Sequence, residues 1–184
     1  MAKTIIDINA DLVERCKAGQ QDAFHLLYQK YCRQMFSVSM RILQDGAEAE
    51  DILQESFVTA FGKIQTFRGD STFGAWLKRI VVNKSINRVK KKKLALFSLE
   101  EKHENTYTEE DPGELAYPDL SVDEIKTAVE LLSEGYRLVL SLYLFEGYTH
   151  KEIAEELGIT ESTSKSQYNR AKKRLREIIL EKNS

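Results

Sequence analysis

The chain has 184 residues, enough for one large or two small domains, and its two prolines and nine glycines favour a mostly helical protein. Its two cysteines, Cys16 and Cys32, lack metal-ligand spacing and argue against a disulfide framework, so we expect a reducing compartment. The start of the chain contains the acidic residues Asp7 and Asp11, which argues against a signal peptide. The longest apolar run, 138–145, is too short to span a membrane, so we expect a cytoplasmic protein.

The net charge of −2 conceals a strong segregation of charge along the chain. Residues 78–93 contain eight Lys or Arg and no acid, residues 100–124 contain ten Asp or Glu and one Lys, and residues 165–176 contain six Lys or Arg and no acid. Two basic blocks that flank an acidic one favour nucleic acid as a partner. The alternative interpretation is two solvated helix faces and a disordered linker.

The first helical segment covers residues 11–93. Four helices are predicted in it, in chain order over residues 11–18, 22–43, 45–64 and 72–92. Apolar residues recur at steps of three and four along the second helix, which predicts one buried stripe. Asp45 can cap the third helix, with Glu48 three residues on. A loop at 65–71, which contains Gly69, separates the last two helices.

An acidic segment separates the two helical parts. Residues 94–120 hold both prolines, Pro112 and Pro118, and show no sustained periodicity. A stretch of this length without helical pattern is too long for an ordinary connection inside one domain. The predicted fold class is therefore all-α, with two small helical domains, 1–93 and 121–184, joined by an acidic linker.

The second helical segment opens with Ser121 and Glu124 at capping-box spacing. Gly135 is predicted to interrupt this first helix, and the next helix is predicted to end near Gly147.

Residues 149–176 match the plan of a helix-turn-helix. A capping box at 149–152 begins a short helix, Gly158 makes the turn, and Thr160 caps a last helix that runs to about residue 180. The last helix has two distinct faces. Its apolar stripe consists of Ser164, Tyr168, Ala171, Leu175 and Ile179, opposite Ser166, Asn169, Arg170 and Lys173, with Lys165, Lys172 and Arg176 flanking.

The polar face of this helix suits DNA. Short polar side chains near a helix start can reach base edges in the major groove, and lysines and arginines can hold phosphates. The alternative is an exposed basic helix that packs on its neighbour.

Aromatic and amide residues lie together at the end of the first domain. The loop 67–73 leads into a helix on which Asn83 and Asn87 continue the stripe begun by Trp76 and Ile80. Amides can bond an unstacked base, and basic side chains attract the backbone, so this set favours single-stranded or melted DNA. Because rings at helical spacing are more often core, Trp76 is interpreted mainly as structural.

Three of these segments resemble sigma factors of RNA polymerase. Residues 51–57 resemble the polymerase-binding helix, residues 67–83 the next region, and residues 149–176 the C-terminal helix-turn-helix. The size and two-domain layout are similar to the extracytoplasmic-function subfamily, which keeps the second and fourth sigma domains. The motifs occur in order over about nine tenths of the chain.

The resemblance implies a role for each segment. Asp51, Gln54 and Glu55 would contact the coiled-coil clamp of the polymerase β′ subunit, and their spacing puts three acceptors on one helix face. The −10 element would be captured by Thr66, Phe67, Arg68, Gly69, Asp70, Ser71, Arg79, Asn83 and Asn87. The −35 element would be recognised by Thr163, Lys165, Ser166, Asn169, Arg170 and Lys173.

The resemblance also implies the partners. These are core RNA polymerase, through its β′ clamp and β flap, promoter DNA, and an anti-sigma factor. The acidic linker would occupy the RNA exit path, where its carboxylates would mimic the phosphates of the transcript. No catalytic residue, metal, cofactor or direct membrane insertion is expected.

Three positions depart from the family pattern. Ser164 stands where a branched apolar residue is common and is expected to weaken helix packing slightly. Gln167 stands where arginine is common and removes one expected phosphate contact. Ser133-Glu134-Gly135 replaces the usual Leu-Pro junction.

Two other classes of function remain open from the residues. A helix-turn-helix regulator that is not a polymerase subunit would use the first domain for ligand sensing or dimerisation. A nucleic-acid-processing enzyme has less support, because His25, His103 and His150 are scattered and no carboxylate cluster or phosphate loop is present.

Overall fold

The computed structural model describes residues 7–93 and 122–182. The chain divides into two compact units, Met1–Lys91 and Lys92–Ser184, and each is described by itself. The described residues form helices and their connections, with no strand among them, which confirms the all-α fold class. The predicted acidic linker, 94–120, lies outside the described residues, and the two domain boundaries stay a prediction. Within the described ranges no helix is long and apolar enough to cross a membrane.

The first unit is built from four α-helices and one short 3₁₀ turn. They are α1 (Ala10–Lys17), α2 (Gln21–Leu43), α3 (Gly46–Gly62), the 3₁₀ turn (Ile64–Thr66) and α4 (Phe73–Lys93). The predicted cap of α3 is confirmed, because the Glu48 backbone N–H donates to the Asp45 carboxylate at 3.0 Å. The helix ends two residues earlier than predicted and continues into the tighter 3₁₀ turn, a frequent form at helix ends.

The core of this unit lies between the predicted apolar stripe of α2 and the facing sides of α3 and α4. Leu27, Met35 and Ile42 of α2 are almost completely buried. Edge-to-face and tilted ring pairs, including Phe24 with Phe61 at 4.9 Å between centroids, join α2 to α3. Burial of these apolar side chains is the main source of stability for a unit of this size.

A glycine lets α4 approach α2 closely. A Cβ atom at Gly74 would lie 2.7 Å from Cε1 of Tyr31, closer than side chains can pack. The absence of a Cβ at Gly74 therefore leaves room for the Tyr31 ring beside the start of α4.

The second unit contains four further helices. They are α5 (Val122–Glu130), α6 (Glu134–Leu144), α7 (His150–Leu157) and α8 (Glu161–Lys182). Seven buried side chains from α5, α6, α8 and the α5–α6 connection form its hydrophobic cluster. They are Ala128, Val129, Leu132, Leu140, Ala171, Ile178 and Ile179.

The predicted helix break at Gly135 is wrong by a few residues. Gly135 lies in the first turn of α6, and the break falls before Glu134, where Ser133 has an extended backbone (φ −55°, ψ 150°). Glycine is tolerated there because it lies in the first turn and not in the helix interior, where its conformational freedom is most destabilising. The Arg137 guanidinium donates to the Leu132 carbonyl at 3.0 Å and holds the turn. Ser121 lies outside the described residues, so its capping box stays a prediction.

Candidate functional site

The acidic face of α3 is exposed. Asp51, Gln54 and Glu55 all lie on its solvent side, and Val58, one turn further, is 73% exposed. The opposite side of the helix, which includes Ile52 and Leu53, is buried in the first unit. The structure therefore brings the three predicted polymerase-binding residues together on one accessible helix face, beside an exposed apolar residue.

Ion pairs join this face to α4. Glu55 accepts from Lys84 at 3.4 Å and from Arg88 at 3.3 Å, and Arg88 also lies 3.8 Å from Glu48. Such partly exposed pairs contribute little to stability. They do mean that the Glu55 carboxylate is shared with α4, so an incoming cation would have to compete for it.

The loop between the 3₁₀ turn and α4 is anchored at both ends. At its start the Gln65 side chain donates to the Lys17 carbonyl at 2.7 Å. At its end Thr72 caps α4 by accepting from the Ala75 backbone N–H at 3.2 Å, and Asp7 accepts from the Phe73 backbone N–H at 2.6 Å. The segment between these anchors is therefore held at both ends.

The residues between the two anchors are largely exposed to solvent. Arg68, Gly69 and Asp70 are exposed, Ser71 is half-buried, and Thr66 is exposed with its hydroxyl on the Lys63 carbonyl at 2.7 Å. Gly69 has a φ of 77°, a conformation that favours glycine and turns the chain sharply.

Phe67 differs from the other predicted −10 residues. Its side chain is buried and packs on Trp76 at 5.2 Å and on Phe73 at 6.0 Å between ring centroids. A ring in this position is not exposed for stacking on a base, so Phe67 supports the loop from beneath. The half-buried Trp76 belongs to the same aromatic cluster, in agreement with the structural role predicted for it.

The amide residues follow one line along α4. Arg79, Asn83 and Asn87 recur every four residues, which places them on one helix face. Arg79 and Asn87 are exposed and Asn83 is half-buried. The face offers a cation and two amides in register, a set of groups that can hold a nucleic-acid backbone and bond to base edges.

The helix-turn-helix has the predicted caps. Thr149 and Glu152 form a reciprocal capping box, with the Glu152 N–H donating to the Thr149 hydroxyl at 3.2 Å and the Thr149 N–H to the Glu152 carboxylate at 2.9 Å. Gly158 has a φ of 71° and makes the turn. The Thr160 hydroxyl accepts from the Thr163 N–H at 3.0 Å and caps α8.

The faces of α8 also agree with the prediction. Ser164, Ala171 and Ile179 are buried, and Tyr168 and Leu175 are half-buried. The predicted −35 residues occupy the other side. Lys165, Asn169 and Lys173 are exposed, whereas Thr163, Ser166 and Arg170 are half-buried. Lys165 forms an ion pair with Glu161 at 2.9 Å.

One cluster in the second unit was missed by the sequence analysis. The Ser164 hydroxyl lies 3.0 Å from Nδ1 of His150, and the His150 ring stacks on Tyr143 with 4.4 Å between centroids. The expectation that Ser164 merely weakens packing is therefore incomplete, because its side chain makes a specific contact between α7 and α8. No local pattern reveals a contact between residues fourteen positions apart.

The surroundings of this cluster change its acid–base behaviour. Burial lowers the pKa of His150, and the nearby Lys165 lowers it further, whereas Glu161 acts in the opposite direction. Burial raises the pKa of the neighbouring Tyr168 phenol, and Tyr143 adds to that effect. A lowered pKa favours the neutral imidazole, which has one donor and one acceptor nitrogen.

Both units match models of one protein family. The model for Sigma-70 region 2 matches residues 27–94, and the model for Sigma-70 region 4 matches residues 122–175. The first range contains the acidic face of α3 and the anchored loop, and the second contains the helix-turn-helix.

Solved structures with a similar fold include two protein complexes. The sigma factor RpoE from Bartonella quintana, in complex with the anti-sigma factor NepR, aligns with a TM-score of 0.52 and 23% identity over 85% of this chain and 96% of that one. CnrH, in complex with the cytosolic domain of CnrY, aligns with a TM-score of 0.53 and 22% identity over 97% and 100%. At these identities the likeness shows the fold alone.

Relatives of known function match nearly the whole chain. The RNA polymerase sigma-H factor of Pseudomonas aeruginosa is 32% identical over 176 residues, which cover 88% of each chain. The ECF RNA polymerase sigma-E factor of Salmonella typhimurium is 30% identical over 170 residues, again 88% of each, and that of Escherichia coli is 29% identical. With both sigma regions present in the predicted order, the chain belongs to the extracytoplasmic-function sigma factors of RNA polymerase.

Proposed function

We propose that this sigma factor directs promoter-specific initiation through three separate surfaces and catalyses no reaction itself. The acidic face of α3 binds the β′ clamp of core RNA polymerase. The anchored loop, with Arg79, Asn83 and Asn87, captures bases of the −10 element. The exposed face of α8 docks at the −35 element. The observation that carries this proposal is the accessible row formed by Asp51, Gln54 and Glu55 in the unit that matches region 2.

Stable binding to the promoter requires core polymerase, because neither DNA surface is sufficient alone. Each DNA surface is small and depends on a few cations, so either one alone binds weakly and in a salt-sensitive manner. Extruding a base costs a few kcal/mol, which the loop and amides must offset. Core polymerase supplies the rest, because it holds both units near one promoter and makes the second contact effectively intramolecular. A helix-turn-helix regulator without polymerase would leave the α3 face without a role.

We also propose a compartment, an inhibitor and a role for the acidic segment. We expect the chain to act in the cytoplasm, where core polymerase and promoter DNA are present. An anti-sigma factor would inhibit it by covering the polymerase-binding surfaces, including the β-flap contact of the second unit. The acidic segment 94–120 would lie in the RNA exit path, since a chain of carboxylates can mimic transcript phosphates.

Charge reversal at Asp51 tests the proposal. Asp51→Lys should reduce binding to core polymerase by tenfold or more, since a lysine would meet the cationic partner that the carboxylate attracts. Asp51 is a cleaner probe than Glu55, whose reversal would also break the pairs with Lys84 and Arg88. Binding is measured by fluorescence titration, and initiation by run-off transcription with purified core polymerase.

The matched control is Asp11→Lys, a reversal on α1, another exposed helix of the same unit. Circular dichroism should show an unchanged fold for both variants. If Asp51→Lys binds core polymerase like the unaltered chain, the α3 face is not the interface. If the unaltered chain supports no initiation with core polymerase, even on pre-melted templates, the proposal as a whole fails.

A further inference from the structure

Four side chains link three helices of the second unit beneath the start of α8. Tyr143 of α6 stacks on His150 of α7, with 14° between the ring planes. Tyr168 of α8 packs against both rings, at 4.6 Å from Tyr143 and 5.5 Å from His150. Ser164, also of α8, meets the edge of the His150 ring. We call these four residues the Tyr143–Tyr168 cluster.

The polar contact in this cluster is directional. Ser164 is fully buried, and its Oγ lies 3.0 Å from Nδ1 of His150. A hydrogen bond stabilises a buried hydroxyl relative to leaving it unpaired, so the arrangement that pairs Ser164 with His150 is favoured over rotated ones. Since burial favours a neutral ring, Nδ1 either accepts the hydroxyl hydrogen or donates its own to Oγ.

The position of Ser164 makes this contact relevant to recognition. Ser164 is the fourth residue of α8, and Lys165 and Ser166 follow directly on the exposed side. Side chains at the outer radius of a helix lie about 5–6 Å from its axis, so a rotation of about 10° moves their ends by about 1 Å. Base-specific hydrogen bonds tolerate less than that, because they weaken steeply outside about 2.7–3.2 Å.

We propose that His150 is a positioning residue for −35 recognition. It sets the rotation of α8 about its own axis through the hydroxyl of Ser164 and thereby determines which bases the exposed face can contact. The inference rests on the proposed role of α8 at the −35 element. The aromatic stack holds the His150 ring, and the hydrogen bond transmits its position to α8.

Variants can separate the hydrogen bond from the stack. His150→Phe keeps a ring on Tyr143 and removes Nδ1, whereas His150→Asn keeps a polar group near the Nδ1 position and removes the ring. Ser164→Ala removes the hydroxyl. The matched control is Ser141→Ala in α6, because Ser141 is fully buried and its hydroxyl has no hydrogen-bond partner among the described residues.

The readout is base preference. Each full-length variant is combined with core RNA polymerase and offered promoter fragments whose −35 segment is randomised, and the bound fraction is sequenced. Ser164→Ala and His150→Phe should each relax discrimination between the preferred and other bases by about 3- to 10-fold, with no further loss when combined. His150→Asn should keep more of the original preference than His150→Phe, because it retains a hydrogen-bonding group although it loses the stacked ring. Ser141→Ala should leave the preference unchanged.

The outcomes distinguish this inference from the proposed function. If the unaltered chain selects a −35 sequence and Ser164→Ala selects it with equal discrimination, His150 does not position α8 and the inference is wrong. The same holds if the losses in the double variant simply multiply, or if Ser141→Ala relaxes the preference as much. If the unaltered chain with core polymerase selects no −35 sequence, the proposed function itself fails.

Discussion

Single residues in this protein combine stability with function in ways that their type alone does not reveal. Ser164 and His150 are unremarkable in the sequence, yet together they link the two helices of the helix-turn-helix. Phe67 shows the reverse case, because a ring that is well suited to base stacking is buried against Trp76. At this scale, burial decides what a side chain can do.

The lowered pKa of His150 predicts a dependence of stability on pH. In the unfolded chain the imidazole takes up a proton near its ordinary pKa of about 6.5, whereas the folded unit resists protonation. Above that pH both states are neutral and the contribution is complete; below it, the unfolded state binds more protons and stability falls. The charged groups that affect the ring are Lys165 and Glu161 of α8.

Denaturant titrations followed by circular dichroism between pH 7.5 and 5.5 measure this effect. The unfolding midpoint should fall on acidification more in the unaltered chain than in His150→Phe, which has no imidazole at this position. Other titrating groups contribute equally to both proteins. Parallel pH profiles would show that His150 does not contribute to the pH dependence.

At the level of helices, α4 is held by contacts from several parts of the first unit. Asp7 caps its first backbone N–H, Gly74 lets it approach α2, and Glu55 pairs with its cations. Each contact comes from a different part of the first unit. These contacts add to the buried apolar face of α4, which includes Leu77, Val81 and Ile86, and together they hold the helix that carries Arg79, Asn83 and Asn87.

Removing the cap at Asp7 should destabilise the first unit. Asp7→Ala leaves the partly buried Phe73 N–H without its acceptor, and loss of such a cap costs about 0.5–2 kcal/mol of the free energy of unfolding. Fluorescence of Trp76, the single tryptophan of the chain, reports unfolding of the neighbouring turn. Glu50→Ala, at an exposed position of α3, is the control and should change stability by less than about 0.5 kcal/mol. Equal midpoints for the two variants would contradict a capping role.

For the whole molecule, the distribution of charge matters more than its sum. A net charge of −2 and a pI near 6.0 would disfavour contact with DNA, yet basic side chains are concentrated on α4 and α8. We expect an acidic segment between two basic helices to limit non-specific attraction of the free chain to DNA, since like charges repel. Under the proposed function, stable promoter contact would then depend on polymerase binding.

Salt dependence tests the contribution of individual cations. Lys173→Gln should reduce the slope of log affinity against log salt by about 0.9 for promoter binding by the polymerase complex, because one fewer counterion is released. The loss should be similar for different −35 sequences, since phosphates carry no base identity. Lys30→Gln, at an exposed position of α2, is the control. An unchanged slope in Lys173→Gln would exclude a phosphate contact by Lys173.

The sequence by itself determined the helical class, most helix ends, the caps at Asp45, Thr149 and Thr160, and the membership of the family. These features depend on periodicity and on contacts within four residues, which a linear pattern contains. The order of motifs along the chain also identified the first unit as the second sigma domain. The helix-turn-helix by itself indicates only DNA binding.

The tertiary structure alone decided the features that depend on distant partners. The cap of the Phe73 N–H by Asp7, the pairing of Glu55 with α4 and the bond between His150 and Ser164 join residues 14 to 66 positions apart. The burial of Phe67 also depends on packing, since it requires ring contacts with Phe73 and Trp76. Their identity follows from which side chains meet when helices pack, because burial and pairing are properties of the assembled core and not of any segment. The sequence shows the row of acceptors around Asp51. Only the structure shows that one of them, Glu55, is already paired with α4.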